Sequence, residues 1–120
     1  MDLQLQITEI IEKYETFGWK PKILLCDENK ASNEVKKLAS LKGFEIRHSQ
    51  KVLAIWFCRE NRKGSQTWEL RKIGGTPIAV LRFINQSMTS DEKEELLKDA
   101  EYELSGRLLN SDSAEDNGTE

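Results

Sequence analysis

The sequence predicts a single α+β (or mixed α/β) domain, in which helices cover a mixed sheet of about five strands in a two-layer arrangement. Three observations lead to this fold class. Apolar residues recur at helical spacing in three segments. Short apolar or alternating runs, bounded by Gly, Pro and polar residues, mark the strands. The chain has 120 residues, a usual size for one domain. The predicted element order is α-β-α-β-β-β-β-α.

The N-terminal part is predicted to hold two helices and two strands. Apolar residues between Leu3 and Phe17 recur three and four positions apart, which is typical of one helix face, and Gly18 favours a helix end. The apolar run 22–26 is predicted to be a strand buried on both faces. Ser32 is a suitable N-cap for a helix that ends at Lys42. Alternating residues 44–48 complete a strand–helix–strand unit.

Three more strands are predicted in the middle of the chain. Val52 to Cys58 is the most apolar segment and is expected to be a central strand. The polar stretch 59–65 is a hairpin loop, and residues 67–73 alternate between apolar and charged. Gly74-Gly75 favours a two-residue hairpin because both glycines accept positive φ. The strand 78–84 follows.

The last helix begins with a capping box formed by Thr89 and Glu92, and it is expected to end near Leu109. Its buried face is predicted to consist of Leu97, Ala100, Leu104 and Leu108. Residues 110–120 contain no large apolar side chain and are rich in acidic and small polar residues. The domain is therefore predicted to span residues 1–109, followed by a disordered acidic tail at 110–120.

Composition excludes several classes of protein. The formal net charge is -3, with 38% hydrophobic and 32% charged residues, which is typical of a small globular domain. The longest uncharged apolar stretch, Val52 to Cys58, is far shorter than the ~20 residues of a membrane helix, so no membrane association is expected. The N-terminus lacks the pattern of a secretory signal. The two cysteines lie in apolar runs, as free thiols do in a reducing compartment, so the expected location is cytoplasmic.

No pattern of catalytic residues is visible. Cys26, Cys58 and His48 are too few and too far apart in the sequence for a zinc site or a paired redox motif. His48 is expected on the core side of its strand, partly buried. Lys72 faces away from Glu69 on a strand, which argues against a nuclease-like pair, and a surface pair of Glu69 with an arginine is expected instead. No enzyme activity, cofactor or metal is therefore predicted.

Charge is distributed unevenly along the chain. Residues 18–72 carry thirteen Lys and Arg against six acidic residues, whereas residues 73–120 carry four against eleven. The basic part includes a hairpin whose cations lie near two tryptophans. Trp56 belongs to the most apolar strand and is expected in the core, whereas Trp68 alternates with charged residues and is the better candidate for exposure. Basic side chains beside exposed aromatic rings are used to bind single-stranded nucleic acid.

Three explanations of this asymmetry stay open: neutralisation by the acidic last helix, an acidic surface on a protein partner, or nucleic acid. The function predicted first is a small non-catalytic binding or regulatory module that acts through protein–protein interaction. The alternative is a nucleic-acid-binding module that uses the basic β-hairpin with its adjacent tryptophan and is masked by the acidic tail. For either function the candidate site residues are Arg59, Arg62, Lys63, Trp68, Arg71 and Lys72.

Overall fold

The structure, a computed structural model, describes the backbone of residues 2–119 and the side chains of residues 2–108. The predicted fold class and element order are confirmed. The helices and strands are α1 (Leu3–Glu15), β1 (Lys20–Cys26), α2 (Asn33–Lys42), β2 (Glu45–His48), β3 (Ala54–Glu60), β4 (Gln66–Lys72), β5 (Ala79–Ile84) and α3 (Ser90–Thr119). α3 continues to Thr119, beyond the predicted helix end near Leu109. The side chains of residues 110–120 fall outside the described part of the chain, and the predicted disorder of this acidic tail stays a prediction.

The five strands form one mixed sheet in the order β2-β1-β3-β4-β5. β1 pairs with β2 in parallel, which confirms the predicted strand–helix–strand unit, and every other pairing is antiparallel. The sheet is mixed because a helix connects β1 to β2, whereas direct loops connect β3, β4 and β5. β2 and β5 are the two edge strands.

Helices lie on both sides of the sheet, so the domain has three layers and the predicted two-layer arrangement is wrong. α3 packs on one face through Leu97, Ala100 and Leu104. α1 and α2 pack on the opposite face in a second apolar cluster. The physical reason is the continuous apolar composition of β1 and β3. Successive residues of a strand point to opposite faces, so both faces of these strands require cover.

Local signals end and begin the helices as predicted. Gly18 and Gly43 both adopt the left-handed conformation, with φ of 86° and 78°, after α1 and α2. The Ser32 hydroxyl accepts a hydrogen bond from the Val35 amide. The capping box is reciprocal: the Glu92 amide donates to Thr89 Oγ1 and the Thr89 amide donates to Glu92 Oε1, both at 3.1 Å.

The predicted two-residue hairpin at Gly74-Gly75 is wrong in its length. Both glycines have positive φ, as expected, but β4 ends at Lys72 and β5 begins at Ala79. The closing hydrogen bond runs from the Lys72 amide to the Ile78 carbonyl. Residues 73–78 therefore form a longer loop, since Ile73 leaves the pairing and donates its amide to Leu53 instead.

Candidate functional site

The helices on the α1 side of the sheet leave β5 uncovered and reach β4 through Tyr14 of α1. α1 packs on β1 and α2 on β2, whereas α3 packs on β5 and β4 from the opposite side. Ile55 and Phe57 of β3 are buried on the α1 side, and their neighbours across the sheet share that side. We call the uncovered surface the open face; it consists of Thr67, Glu69, Arg71, Ala79, Leu81 and Phe83.

Large apolar side chains are exposed on and beside the open face. Phe83 is 68% exposed and Leu81 is 48% exposed, on alternate positions of the edge strand. Phe17, at the end of α1, is 67% exposed. Isolated exposed apolar residues are common, but a group of them on one surface is typical of an interaction site.

An aromatic wall separates the open face from the covered part of the sheet. The Tyr14 ring stacks on Phe57 with centroids 4.0 Å apart and an interplanar angle of 12°. Trp19 meets the edge of Tyr14 at 6.0 Å. This contact follows from the end of α1, because the turn at Gly18 brings the Trp19 amide back to the Tyr14 carbonyl at 3.1 Å. The end of α1 and the turn that follows it therefore hold both rings beside the open face.

Two grooves follow α1 along this wall. The first, of about 310 Å³, is lined by Lys13, Tyr14, Phe17, Trp19, Arg59 and Glu69. The second, of about 250 Å³, is lined by Glu9, Ile10, Lys13, Tyr14 and Arg71. They share Lys13 and Tyr14, so together they run from Arg59 to Arg71, which is also the direction of the strands. We call the pair the α1 groove.

Tyr14 connects the wall to the floor of the open face. Its hydroxyl donates a hydrogen bond to Glu69 Oε2. Burial, together with the Glu69 carboxylate, raises the pKa of Tyr14 well above its ordinary value of 10.0, and Arg71 beside the phenol opposes this rise. Glu69 is thus held by a tyrosine from α1, and the predicted Glu69–arginine ion pair is not among the ion pairs of the described residues.

The raised pKa of Tyr14 predicts a loss of stability at alkaline pH. Above pH 10.0 the unfolded chain releases the phenol proton while the folded chain keeps it, so the folded state binds more protons. The stabilisation is complete below that pH and declines above it. We expect the denaturation midpoint of the wild type to fall more steeply between about pH 10 and about pH 12 than that of Tyr14→Phe.

The buried thiols do not interfere with this comparison. Burial also raises the pKa values of Cys26 and Cys58, but both thiols are present in the wild type and in the variant and cancel in the difference. Glu69→Gln keeps an acceptor for the phenol without the charge, and its pH dependence should lie between the other two. Equal pH dependence in the wild type and Tyr14→Phe would contradict the assignment.

The predicted basic residues do not form one patch. Arg59, Arg62 and Lys63 lie at the β3–β4 hairpin, where Lys63 adopts a left-handed φ of 65°. Arg71 and Lys72 lie at the other end of β4. Arg71 is on the open face, whereas Lys72 pairs with the buried Ala54 on the α3 side. Among the described side chains, none of these five cations forms an ion pair.

The expectation that Trp68 is exposed is wrong. Its side chain is 4% exposed and packs under α3, with the Trp56 ring 6.0 Å away. The indole Nε1 donates to Gln66 Oε1 at 2.9 Å, and the Lys93 ammonium lies 4.4 Å from the ring centroid. Alternation with charged residues identified the correct face of β4 for Trp68, but that face is covered by a helix. Its ring is therefore not available to stack on a base.

Among the side chains that the structure describes, the last helix neutralises part of the basic segment. Arg47 on β2 forms an ion pair with Glu94 of α3 at 3.3 Å and with Glu45 at 2.8 Å. The other acidic residues of α3 that form ion pairs bind Arg82 and Arg107. The hairpin cations and Arg71 are left without an acidic partner among the described side chains.

Sequence reasoning missed the residues that build the α1 groove. Tyr14 and Phe17 were assigned to the apolar face of α1. The spacing of these residues is correct for one helix face, but it does not show that this face extends beyond the part of the sheet that α1 covers. Leu81 and Phe83 lie in an apolar strand, a pattern that predicts cover on both sides. The available signal was Arg82 in the middle of that strand, which is typical of an edge.

The thiols and the histidine form no catalytic pair. Cys26 and Cys58 are both buried, on opposite sides of the sheet, and burial raises the pKa of each thiol. His48 is exposed, which corrects the expected partial burial, because β2 is the edge strand and ends there. Its Nδ1 accepts a hydrogen bond from the Glu28 amide at 3.1 Å.

Within residues 2–108, no group of three or more His, Cys, Asp or Glu side chains has the arrangement of a metal site. None of the described helices combines the length and the hydropathy needed to cross a membrane. The chain matches no protein-family model, no curated protein and no solved structure. The candidate site therefore rests on its own geometry.

Proposed function

We propose that this protein is a non-catalytic binding module that uses the open face and the α1 groove to bind an acidic, partly apolar segment of a protein partner. The observation that carries the proposal is the exposure of Phe83, Leu81 and Phe17 on and beside the part of the sheet that α1 and α2 do not cover. Burying such side chains against a partner is favourable, at about 25 cal/mol per Å² of apolar surface.

Charge selects the kind of partner. Lys13, Arg59 and Arg71 line the α1 groove, and the latter two have no acidic partner among the described side chains. The Glu69 carboxylate accepts a hydrogen bond from the Tyr14 phenol, so one of its oxygens is occupied although its charge remains. Carboxylates on a partner would form ion pairs with Arg59 and Arg71, and such charge complementarity improves the specificity and the rate of association.

Nucleic acid is the second candidate, favoured by one specific observation. Arg59, Arg62 and Lys63 lie together at the β3–β4 hairpin. Arg59 is paired with Thr67 of β4, and Thr67 is paired with Phe83 of β5, so the exposed Phe83 ring lies on the same end of the sheet as the hairpin. Phosphates and a stacked base would use these groups. Trp68, the ring that the sequence offered for stacking on a base, is buried beneath α3, so we place this function second.

The nucleic-acid function has a direct test. Fluorescence anisotropy with short single- and double-stranded oligonucleotides, at about 50 and about 200 mM salt, would be compared for the full chain and for a chain ending at Leu109. Binding that weakens with salt, tightens without residues 110–120 and is lost in Arg62→Ala/Lys63→Ala would support a site masked by the acidic tail. No binding by either chain at low salt would exclude it.

The protein-binding function predicts a defined loss of partners. We expect tagged wild-type protein, recovered from the cells that produce it, to retain a set of proteins that Phe83→Asp loses. The aspartate removes apolar area and places a carboxylate where the partner's own carboxylates approach. Quantitative mass spectrometry of the bound fraction is the measurement.

A matched variant controls for a general effect of surface charge. Leu41 on α2 is 79% exposed and lies far from the open face, so Leu41→Asp should retain the same proteins as the wild type. Identical sets for the wild type and Phe83→Asp would refute the proposed surface. Recovery that disappears after nuclease treatment would favour nucleic acid instead.

A further inference from the structure

We propose that the segment bound by the open face is an amphipathic α-helix with acidic flanks, which lies beside α1 and covers β4 and β5. This inference rests on the proposed function and names the structure and chemistry of the partner. In the complete layer, α1 and α2 would be joined by a third helix supplied in trans.

The size of the uncovered surface fits one helix. Two neighbouring strands are about 4.8 Å apart, so β4 and β5 with their margins offer a floor about 10 Å wide, which is the diameter of a helix. The strands have seven and six residues, or about 20 Å in length. A helix of about 14 residues has the same length.

The α1 groove gives the direction of the bound helix. Residues Glu9 and Ile10 of α1 lie with Arg71, whereas Phe17 and Trp19, just beyond its other end, lie with Arg59. α1 therefore runs along the strands, and a ligand in the groove runs beside it. Helices that cover a sheet usually lie nearly along its strands, in one layer with their neighbours.

The apolar and charged positions of the open face match a helical pattern. Leu81 and Phe83 are two residues apart on one side of β5, about 7 Å, a span that two side chains on successive turns of a helix can contact. Arg59 of β3 is paired with Thr67 of β4, which is four residues from Arg71, so the two arginines are about 13 Å apart in the direction of the strands. Acidic residues about two turns apart on the partner would reach both arginines.

The edge of β5 is poorly suited to the addition of a strand, the other common way to bind a segment. Arg82 Nη1 donates to the Leu81 carbonyl at 2.8 Å, and Arg107 Nη1 donates to the Ala79 carbonyl at 3.4 Å. Asp99 and Glu103 of α3 hold the Arg82 guanidinium in this position. Two acceptors on the free side of the strand are thus occupied, which is a known protection of sheet edges.

A second copy of this chain is a poor occupant of the open face. Two open faces related by a two-fold axis would bring Lys13, Arg59 and Arg71 of both copies together. Each copy would bring three cations against the two carboxylates of Glu9 and Glu69 that line the same groove, so each contributes an excess of positive charge. An acidic helix from another chain avoids this repulsion.

Selection from a displayed library of random peptides, each about 16 residues long, tests the inference with the full-length protein as target. We expect the enriched peptides to be rich in Asp and Glu, with apolar residues three and four positions apart. Synthetic copies should gain helical circular dichroism when bound. Fluorescence anisotropy should show affinity at least about tenfold weaker for Phe83→Asp and for Arg71→Glu, and unchanged for Leu41→Asp.

Each other outcome overturns a defined part of the proposal. Acidic peptides with alternating apolar residues, bound without helix formation but dependent on Phe83, would refute the helix and leave the proposed function standing. Basic peptides, or peptides insensitive to Phe83→Asp and to the milder Phe83→Ala, would refute the proposed function itself. Self-association of the protein that is lost in Phe83→Asp would show a second copy as the occupant.

Discussion

Replacing Phe57 with alanine is expected to lower the free energy of unfolding by about 3–5 kcal/mol, because the side chain is wholly buried between α1 and the sheet. The loss has two parts: the transfer free energy of the ring, and a cavity that its stacked neighbour Tyr14 cannot fill without leaving Glu69. Urea denaturation followed by circular dichroism measures the change.

Phe83 provides a matched control for this prediction. It is the same residue type, on the same side of the same sheet, but it is 68% exposed. We expect Phe83→Ala to change the free energy of unfolding by no more than about 0.5 kcal/mol. If the two alanine variants lost similar stability, either the open face would be covered in solution or Phe57 would not be in the core.

The contrast between these two phenylalanines shows what the sequence could predict. Phe57 lies in a run of seven apolar residues that predicts a central strand, and this strand is central and buried. Phe83 lies in a run of similar composition, yet its strand is at an edge with one face open. Composition indicates how apolar a strand is, whereas its neighbours are decided by the topology of the whole sheet.

Local signals were predicted correctly because they depend on few residues. The capping box of Thr89 and Glu92 and the cap at Ser32 need only a side chain three positions from an amide. The left-handed ends at Gly18 and Gly43 need only a residue without Cβ. Each of these interactions forms within one turn of helix, so the sequence contains the whole interaction.

The candidate site could not be predicted in the same way because its residues are distant in sequence. The contact of Tyr14 with Glu69 joins residues 55 positions apart, and Arg59 meets the Trp19 ring across the pairing of β1 with β3. Their proximity depends on where α1 packs. The sequence identified the basic hairpin correctly but could not show which of its cations face an aromatic groove.

Trp68→Ala is the second substitution with a large expected effect, a loss of about 3–5 kcal/mol in the free energy of unfolding. The indole is 4% exposed, meets Trp56 edge to face, and has its Nε1 bonded to Gln66. Removing it empties the core between α3 and β4 and also releases the Lys93 ammonium from the ring. Urea denaturation, with tryptophan fluorescence in the presence of a soluble quencher, measures both stability and access.

Trp68→Phe is the control, since it keeps an aromatic ring beside Trp56 and removes only the bond to Gln66 and part of the volume; its cost should be about 1–2 kcal/mol. The pair of variants also separates the two possible roles of this tryptophan. A ring that stacks on bases would lose oligonucleotide binding in Trp68→Ala while the denaturation midpoint stayed at the wild-type value. If the ring belongs to the core, the free energy of unfolding is lowest for Trp68→Ala, intermediate for Trp68→Phe and highest for the wild type. The burial of Trp68 beneath α3 requires that order.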